Sequence, residues 1–202
     1  MKPENHILKI IEAISDPTRI RNGRERKIIS VDNYEEAMTF ILHSGTVAIH
    51  RSSDSLLLKF VEAPMIVGMN ILIDTNEGFY MQAHGDVQYE ILSNNSVIDI
   101  IERENLWKEA AYFFMFGVQR LLEAHQTSAG RTTYELIKQN LMSLMAEKDE
   151  LRMMVNACDY IMDKTHISRS RVMKILSDLK TGDYIVIERG VLIKINKLPE
   201  TY

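Results

Sequence analysis

The spacing of apolar residues changes twice along the chain and divides it into three parts. A first helix is predicted from Glu4 to Ile14 and ends before Asp16-Pro17, since a residue before proline disfavours helix. From residue 27 to about 92, short apolar runs alternate with turn residues, which is typical of β-strands. The predicted strands are Ile28–Val31, Met38–Leu42, Thr46–His50, Leu56–Val61, Met65–Val67, Phe79–Ala83 and Val87–Leu92. Many short strands at close spacing predict an antiparallel sandwich or small barrel.

The second part has helical spacing. Ser93 to Ser96 offers side-chain oxygens that can satisfy the first free amides of a helix. An apolar stripe then recurs every three or four residues at Trp107, Ala111, Phe114, Val118, Leu121 and His125. It predicts about 45 Å of continuous helix. Such a long stripe is typical of a dimer interface, although packing on the chain's own barrel stays open as an alternative. Gln126 to Gly130 is interpreted as a hinge.

The third part predicts three helices and a hairpin. The predicted helices are Thr133–Met145, Met154–Asp163 and Arg169–Lys180, with a turn at 164–167, Ser168 as N-cap and Gly182 as a left-handed cap. Two apolar strands follow, Tyr184–Ile187 and Val191–Ile195, joined by Glu188-Arg189-Gly190. Helix, turn, helix and two-stranded wing is the layout of a winged DNA-binding domain.

The third helix carries the candidate chemistry. At about 100° per residue from an inward Val172, Ser170 points roughly 160° away and Lys174 roughly 200° away, while Arg171 lies to the side. Arginine and lysine can donate to guanine in the major groove, and serine reaches bases or phosphates. The predicted DNA-binding residues are Ser168, Arg169, Ser170, Arg171, Lys174 and, in the wing, Arg189. The alternative is a generic amphipathic helix with a basic exposed side.

Charge and composition permit this interpretation without requiring it. The net charge is −4, but residues 131–202 hold 12 Lys/Arg against 10 Asp/Glu, and a mildly basic domain is compatible with nucleic acid. A single cysteine, Cys158, cannot form an internal disulfide or hold an iron–sulfur cluster. The chain has no apolar run long enough for a membrane span and no apolar core of a signal peptide near its first residue, so we expect a cytoplasmic protein.

The run Ile167 to Leu176, followed by Leu179 and Gly182 to Ile185, resembles the recognition helix and wing entry of Crp/Fnr-type regulators. Within that superfamily, residues 160–199 are most similar to the branch of the inhibitor of hydrogen peroxide resistance. Weaker similarity extends to Ser44–Ile49 and Pro64–Gly68, in the regulatory barrel. The resemblance implies that Arg169 and Lys174 read bases and that Ser168 contacts phosphate. Ser170 stands where a glutamate is usual, so we expect a different target sequence.

The resemblance also implies where a cyclic nucleotide would bind, and this chain departs from that pattern. Gly68 is followed by Met69-Asn70 instead of glutamate, and the Arg-Ser position falls on Glu77-Gly78. A carboxylate repels a cyclic phosphate, so we expect no cyclic-nucleotide binding and no cofactor.

The sequence contains two further candidate sites, one for a metal ion and one for a reactive thiol. His84 and Asp86 resemble part of a facial metal triad, with His43, His50 or His125 as a third ligand, although a histidine and an aspartate in a glycine turn are commonplace. Cys158 lies in an apolar helix stripe and is interpreted as a buried core thiol, with peroxide sensing as the alternative. No nucleophile–base pair or nucleotide-binding loop occurs, so we expect no enzyme.

Together these patterns predict an α+β chain. Residues 1–101 would form a cyclic-nucleotide-binding-like antiparallel β-barrel, a jelly roll with an N-terminal helix. Residues 102–130 would form the dimerisation helix and hinge, with the homodimer contact over 102–126, and residues 131–202 the winged helix-turn-helix. The predicted function is sequence-specific binding of double-stranded DNA by a homodimeric regulator of oxidative-stress or related stress genes, with RNA polymerase as a further candidate partner and the effector unknown. The alternative is a protein-interaction module whose winged domain does not bind DNA.

Overall fold

The computed structural model describes residues 2–31, 36–69, 78–126 and 131–202. The chain divides into two compact units, Met1–Thr127 and Ser128–Tyr202. Each unit has its own core and is described by itself.

The N-terminal unit is an antiparallel sheet flanked by helices. Its elements are α1 (Glu4–Ile14), β1 (Arg21–Gly23), β2 (Ile28–Ser30), β3 (Met38–Arg51), β4 (Leu57–Glu62), β5 (Met65–Val67), β6 (Phe79–Ser93), α2 (Asn94–Arg103) and α3 (Trp107–Gln126), with a 3-10 turn at Pro17–Arg19. Strands β3 and β6 pair along their whole length, from Met38 opposite Ser93 to Arg51 opposite Phe79. Strands β1 and β2 attach to β6, and β4 and β5 attach to β3. The antiparallel architecture predicted from the spacing is therefore confirmed.

Two predicted turns are wrong, because each lies inside a long strand. The strands predicted on either side of Ser44-Gly45 form the single strand β3, and those on either side of Gly85 form β6. The pairing absorbs the irregular residues as register shifts between Leu42 and Thr46, which is how a β-bulge preserves a ladder. Gly45 has a φ of 83°, and a side chain there would overlap the carbonyl oxygen of Asp86. Glycine signals a bulge here as readily as a turn.

The basic segment after α1 belongs to the sheet and is not simply an exposed turn. Arg21 to Gly23 form β1, in which Arg21 pairs with Tyr89 of β6. Arg19, at the end of the 3-10 turn, donates from Nε to Glu90 at 3.2 Å and from Nη2 to the carbonyl of Ile14 at 2.7 Å. The segment therefore connects α1 to the sheet and forms its first strand, next to β6.

A buried carboxylate organises this connection. Glu90 is inaccessible to solvent. It accepts hydrogen bonds from the Asp16 amide at 3.2 Å and from the Ser15 hydroxyl, and its Oε1 lies 2.8 Å from His43 Nε2. Burial opposes ionisation of Glu90, but the hydrogen bonds from Ser15, Asp16, His43 and Arg19 outweigh it and hold the pKa of this carboxyl below its usual range.

The predicted single long helix is two helices. Ser93 caps α2 by accepting from the Ser96 amide at 3.2 Å, which confirms the predicted helix start. The chain then breaks after Arg103, and Asn105 takes a left-handed φ of 55° before α3 begins at Trp107. No glycine or proline marks the break, and asparagine is among the few other residues that tolerate this conformation.

Helix α3 has one face against its own unit and one face open. Ala110 and Phe113 are buried in the core, together with Glu109, which accepts a hydrogen bond from Lys9 of α1 at 3.4 Å. The predicted stripe is divided. Trp107, Val118 and Leu121 are 46%, 56% and 69% exposed, whereas Phe114 is half-buried and packs against the core. The alternative that the stripe packs on the chain's own barrel therefore holds for Phe114 and is wrong for the three exposed residues.

The C-terminal unit is helical with one hairpin. Its elements are α4 (Thr133–Met145), α5 (Asp149–Met154), α6 (Ala157–Thr165), α7 (Arg169–Thr181), β7 (Ile185–Glu188) and β8 (Val191–Ile195). Thr132 and Glu135 form a capping box at the start of α4. The second predicted helix, Met154–Asp163, begins too early. Met154 is the last residue of a separate short helix, α5, and Val155 is extended, so that α6 starts only after its N-cap Asn156. Among the described residues no helix is both long and apolar enough to cross a bilayer.

We expect Glu90→Gln to lower the free energy of unfolding by about 1–3 kcal/mol at neutral pH, since several donors lose a charged acceptor. The folded-state pKa of Glu90 lies below the unfolded value of about 4.3. Its stabilisation is therefore present above about pH 4.3 and is lost as the pH falls through the folded-state pKa. Urea unfolding of the full chain at a series of pH values should show the difference between the two proteins shrinking in acid. Glu102→Gln, at an exposed carboxyl of α2, is the control and should change little. A difference that persists unchanged in acid would contradict the assignment.

Candidate nucleic-acid interface

Helix α7 presents one apolar face to its unit and the opposite face to solvent. The buried residues are Val172, Ile175, Leu176 and Leu179. Ser170, Lys174 and Ser177 lie on the opposite side and are exposed. The candidate DNA-binding residues predicted from the sequence are all exposed in their own unit, namely Ser168, Arg169, Ser170, Arg171, Lys174 and Arg189. The surface therefore has the shape and accessibility that reading a groove requires, and the role of each residue stays a prediction.

The turn into α7 is tighter than predicted. Helix α6 continues to Thr165, and His166 then takes a left-handed φ of 56° and donates from its amide to Met162 at 2.8 Å. Ser168 precedes α7 as predicted, but its hydroxyl makes no capping hydrogen bond. It lies 3.3 Å from the Ser170 hydroxyl instead. Two hydroxyls therefore stand together at the exposed start of α7.

The predicted left-handed cap at Gly182 is wrong. Gly182 has a φ of −82°, and the following Asp183 is left-handed at 57°. Glycine is required at 182 for space, because a Cβ there would overlap the ring of Tyr184.

Arg169 is held by a carboxylate that the sequence analysis did not identify. Its Nη1 donates to Asp159 Oδ1 at 2.8 Å, across from α7 to the first turn of α6. Both side chains remain more than half exposed. The ten-residue separation gives no periodic signal on either helix, so only the packing of α6 against α7 reveals the pair.

The wing is attached to the start of α6. Arg189 and Gly190 form a two-residue turn between β7 and β8, both with positive φ, at 49° and 88°, as the tight primed hairpin turns require. The Gly190 carbonyl accepts from the Ala157 amide at 2.8 Å. Asn156 caps α6 by accepting from the Cys158 amide at 2.9 Å, and a side chain on Gly190 would overlap Asn156. The hairpin predicted as a wing is confirmed, and its tip is fixed to the helix-turn-helix.

A second boundary of α7 is formed by the last residues of the chain. Tyr134 and Lys138 of α4 both donate to the carbonyl of Pro199, at 2.6 and 2.8 Å. Tyr202 stacks on Tyr134 and donates to Asp178 of α7. Arg171 and Lys174 line a cleft of about 400 Å³ between this segment and the start of α4. The aromatic residues at 134 and 202 were the signal that the sequence analysis missed.

Cys158 is buried, which confirms the core-thiol interpretation. Burial raises the pKa of this thiol, Arg169 opposes the rise, and Asp159 adds to it. A thiol held protonated in this way is a poor nucleophile.

The candidate metal residues have other partners. His43 contacts Glu90, and His50 Nδ1 lies 3.1 Å from the Ser55 carbonyl oxygen. His84 packs near Phe60. Nowhere in the described ranges do three histidine, cysteine or acidic side chains converge as a metal site would need, and the side chain of His125 lies outside them. Asn70 and Glu77, on which the prediction about cyclic nucleotides rests, also lie outside the described residues.

Comparison with known proteins agrees with this geometry. Residues 133–200 match the family model for winged helix-turn-helix DNA binding. The global regulator CLP of Xanthomonas campestris, named as responsive to c-di-GMP, superposes with a TM-score of 0.73 at 14% identity, over 96% of this chain and 100% of that one. A CooA mutant of Carboxydothermus hydrogenoformans gives 0.68 at 15% identity, over 94% and 90%. The fold is therefore that of the Crp/Fnr-type regulators, an antiparallel barrel with a winged helix-turn-helix, as the sequence resemblance implied.

Curated relatives of similar sequence identify the family within this class of fold. The chain is 30% identical over 204 residues to the inhibitor of hydrogen peroxide resistance of Salmonella typhimurium, covering 100% of this chain and 98% of the relative. It is 29% identical over 205 residues to the Escherichia coli protein of the same name, with the same coverage. The chain belongs to the family of the inhibitor of hydrogen peroxide resistance.

We expect Asn156→Ala to weaken the first turn of α6 by about 0.5–2 kcal/mol, because two amides lose their cap. Hydrogen–deuterium exchange of the peptide covering 156–165 in the full chain should therefore become faster. Asn156→Asp keeps an oxygen acceptor at the same place and is the matched control. Equal protection in the alanine and aspartate variants would show that the cap does not hold this turn.

Proposed function

We propose that the protein is a cytoplasmic homodimeric transcriptional regulator that reads a specific DNA sequence through α7, without a bound cyclic nucleotide, and controls oxidative-stress or related stress genes. The observation that carries the proposal is the uncovered face of α7 from Ser168 to Lys174, which combines hydroxyl and basic side chains beside an anchored wing. The link to oxidative stress rests on the name of the relatives.

The chemistry of this face suits the edges of base pairs. An α-helix fits the major groove, where a basic side chain donates to guanine and a hydroxyl bonds to a base or a phosphate. Arg169 and Lys174 are the proposed base readers, with Ser170 between them on the outward side. Ser168 and the laterally placed Arg171 are suited to the flanking phosphates, because backbone contacts fix the position of the helix. Arg189 extends the same role to the wing.

The open face of α3 supports the homodimer. Large apolar side chains are exposed over the length of this helix, namely Trp107, Tyr112, Met115, Val118, Leu121 and Leu122. Among them, Met115, Val118 and Leu122 follow one another at intervals of three and four residues, the spacing at which two helices pack well against each other. A dimer would present two copies of α7 to half-sites about one helical turn, or 34 Å, apart. We name RNA polymerase as a candidate partner without assigning residues to it.

We expect in vitro site selection with the full-length protein, in the absence of nucleotide, to yield a pseudo-palindromic motif. Arg169→Ala should relax the preference at one position of each half-site by about 1–3 kcal/mol, as for a lost guanine contact. Binding constants for the selected site and for sites changed at single positions, at one salt concentration, give this value. Lys197→Ala, at another exposed basic residue of the same unit, should weaken binding evenly across sites or not at all. Featureless binding that varies only with salt would instead favour a winged domain without a sequence target.

We expect Leu121→Glu to convert the dimer into a monomer, because a charge placed in an apolar seam cannot be desolvated without a partner. Sedimentation velocity measures the oligomeric state, and affinity for a complete palindromic site should fall at least tenfold while binding to a half-site is retained. Ile28→Glu, at an exposed apolar residue of β2, is the control and should stay dimeric. A Leu121→Glu protein that remains dimeric would exclude this face as the interface.

A further inference from the structure

We infer that Asp159 is a positioning residue that sets DNA specificity by fixing Arg169 in one reading geometry. The inference rests on the proposed function, since it requires that α7 reads bases. It assigns a role to a residue of α6 that itself carries the wrong charge for binding DNA.

The carboxylate of Asp159 is attached to a rigid part of the domain. Asp159 lies in the first turn of α6, where the helix dipole favours an acidic side chain. Its amide donates to Asn156 at 3.3 Å, so the cap that begins the helix also fixes this residue. The same Asn156 is packed against the wing tip at Gly190. A partner held this firmly can impose a position on a long, flexible side chain.

The contact leaves Arg169 able to bind. Only Nη1 donates to Asp159, so the remaining N–H groups of the guanidinium are available for another acceptor. Arg169 retains 62% of its side-chain exposure while the ion pair is formed. A guanidinium that is held by one nitrogen and exposed at the others is already oriented for a base edge. Such preorganisation strengthens the correct contact, because less conformational entropy of the side chain is lost on binding.

Arg169 has an alternative place to lie if this contact is absent. It borders a cleft of about 280 Å³ between α7, the start of α6 and the wing, which is also lined by Met173, Lys180 and Ile187. A guanidinium released from Asp159 can take other orientations along the border of this cleft. The ion pair therefore selects one arrangement among several that the surface allows.

The negative charge also lowers the overall affinity for DNA. A carboxylate close to the reading face repels phosphates and weakens binding to any DNA sequence. This cost is the same for correct and incorrect sites and leaves the difference between them unchanged, so the gain in specificity comes from the positioning of Arg169 alone. Stability does not explain the pair, because exposed ion pairs contribute little to folding.

The test compares Asp159→Asn with the parent protein on the selected site and on sites changed at the position that Arg169→Ala relaxes. We expect Asp159→Asn to reduce discrimination at that position about three- to tenfold and to increase affinity for unrelated DNA. In the Arg169→Ala background, the same substitution should no longer alter discrimination, and Asp159→Glu should restore part of it. The thermal midpoint should stay unchanged, which separates positioning from a structural role.

Asp163→Asn is the matched control, since it removes the same charge from an exposed position one turn further along α6. It should raise affinity for unrelated DNA without changing discrimination. Undiminished or increased discrimination in Asp159→Asn, with Arg169→Ala still losing it, would overturn the positioning role and leave the proposed function intact. If Arg169→Ala loses no discrimination at any position, both the reading role of Arg169 and the role of Asp159 are rejected.

Discussion

The molecule depends on one constraint, which is that a helix buried along one side must leave its other side open. In α7, four aliphatic residues lock the helix into its domain, and their spacing places the hydroxyl and basic residues opposite. In α3, Ala110 and Phe113 hold the helix to its own unit while Val118 and Leu121 stay exposed. The burial that stabilises each unit thus also determines which surface remains exposed for the proposed contact with DNA and which for the proposed contact with a second copy.

Charged residues fall into two groups, those that stabilise the fold and those that remain exposed to bind another molecule. Glu90 is fully buried, and the side chains and amide around it supply the donors that keep it ionised, so it joins the segment after α1 to the last part of β6. The Arg169–Asp159 pair has similar chemistry but lies in solvent. A buried carboxylate without its donors would be costly, whereas an exposed ion pair is exchanged readily for contacts with another molecule. The buried Glu90 network therefore stabilises the fold, whereas the exposed Arg169–Asp159 pair can take part in recognition.

The start of α6 is where the parts of the DNA-binding domain meet. Asn156 caps the helix, its neighbour Ala157 donates to the wing at Gly190, and Asp159 reaches Arg169. A single helix end thus relates the wing tip and the first residue of α7 to each other. These hydrogen bonds connect the wing tip and the start of α7 to the same helix end.

Much of this arrangement was predictable from local sequence. The bounds of α4, the start of α2 at Ser93, the inward stripe of α7 and the hairpin around Arg189-Gly190 each follow from periodicity or from the conformational preference of one or two residues. The family resemblance added the prediction that the outward face of α7 meets DNA. Errors occurred where one local signal serves two structures, as at Gly45, which marks a bulge, and at Asn105, which ends a helix without glycine or proline.

Only the tertiary structure decided which partner each polar group contacts. The partners of Arg169, Glu90 and Tyr202 come from elements 10 to 75 residues away in the chain. No periodic pattern connects such residues, because their separation is set by how helices and strands pack and not by the geometry of either element. The sequence determined which side chains of α7 would be outside, since burial on that helix follows from apolar spacing. The packing determined which of them are held, because a hydrogen bond depends on distances that only the folded chain defines.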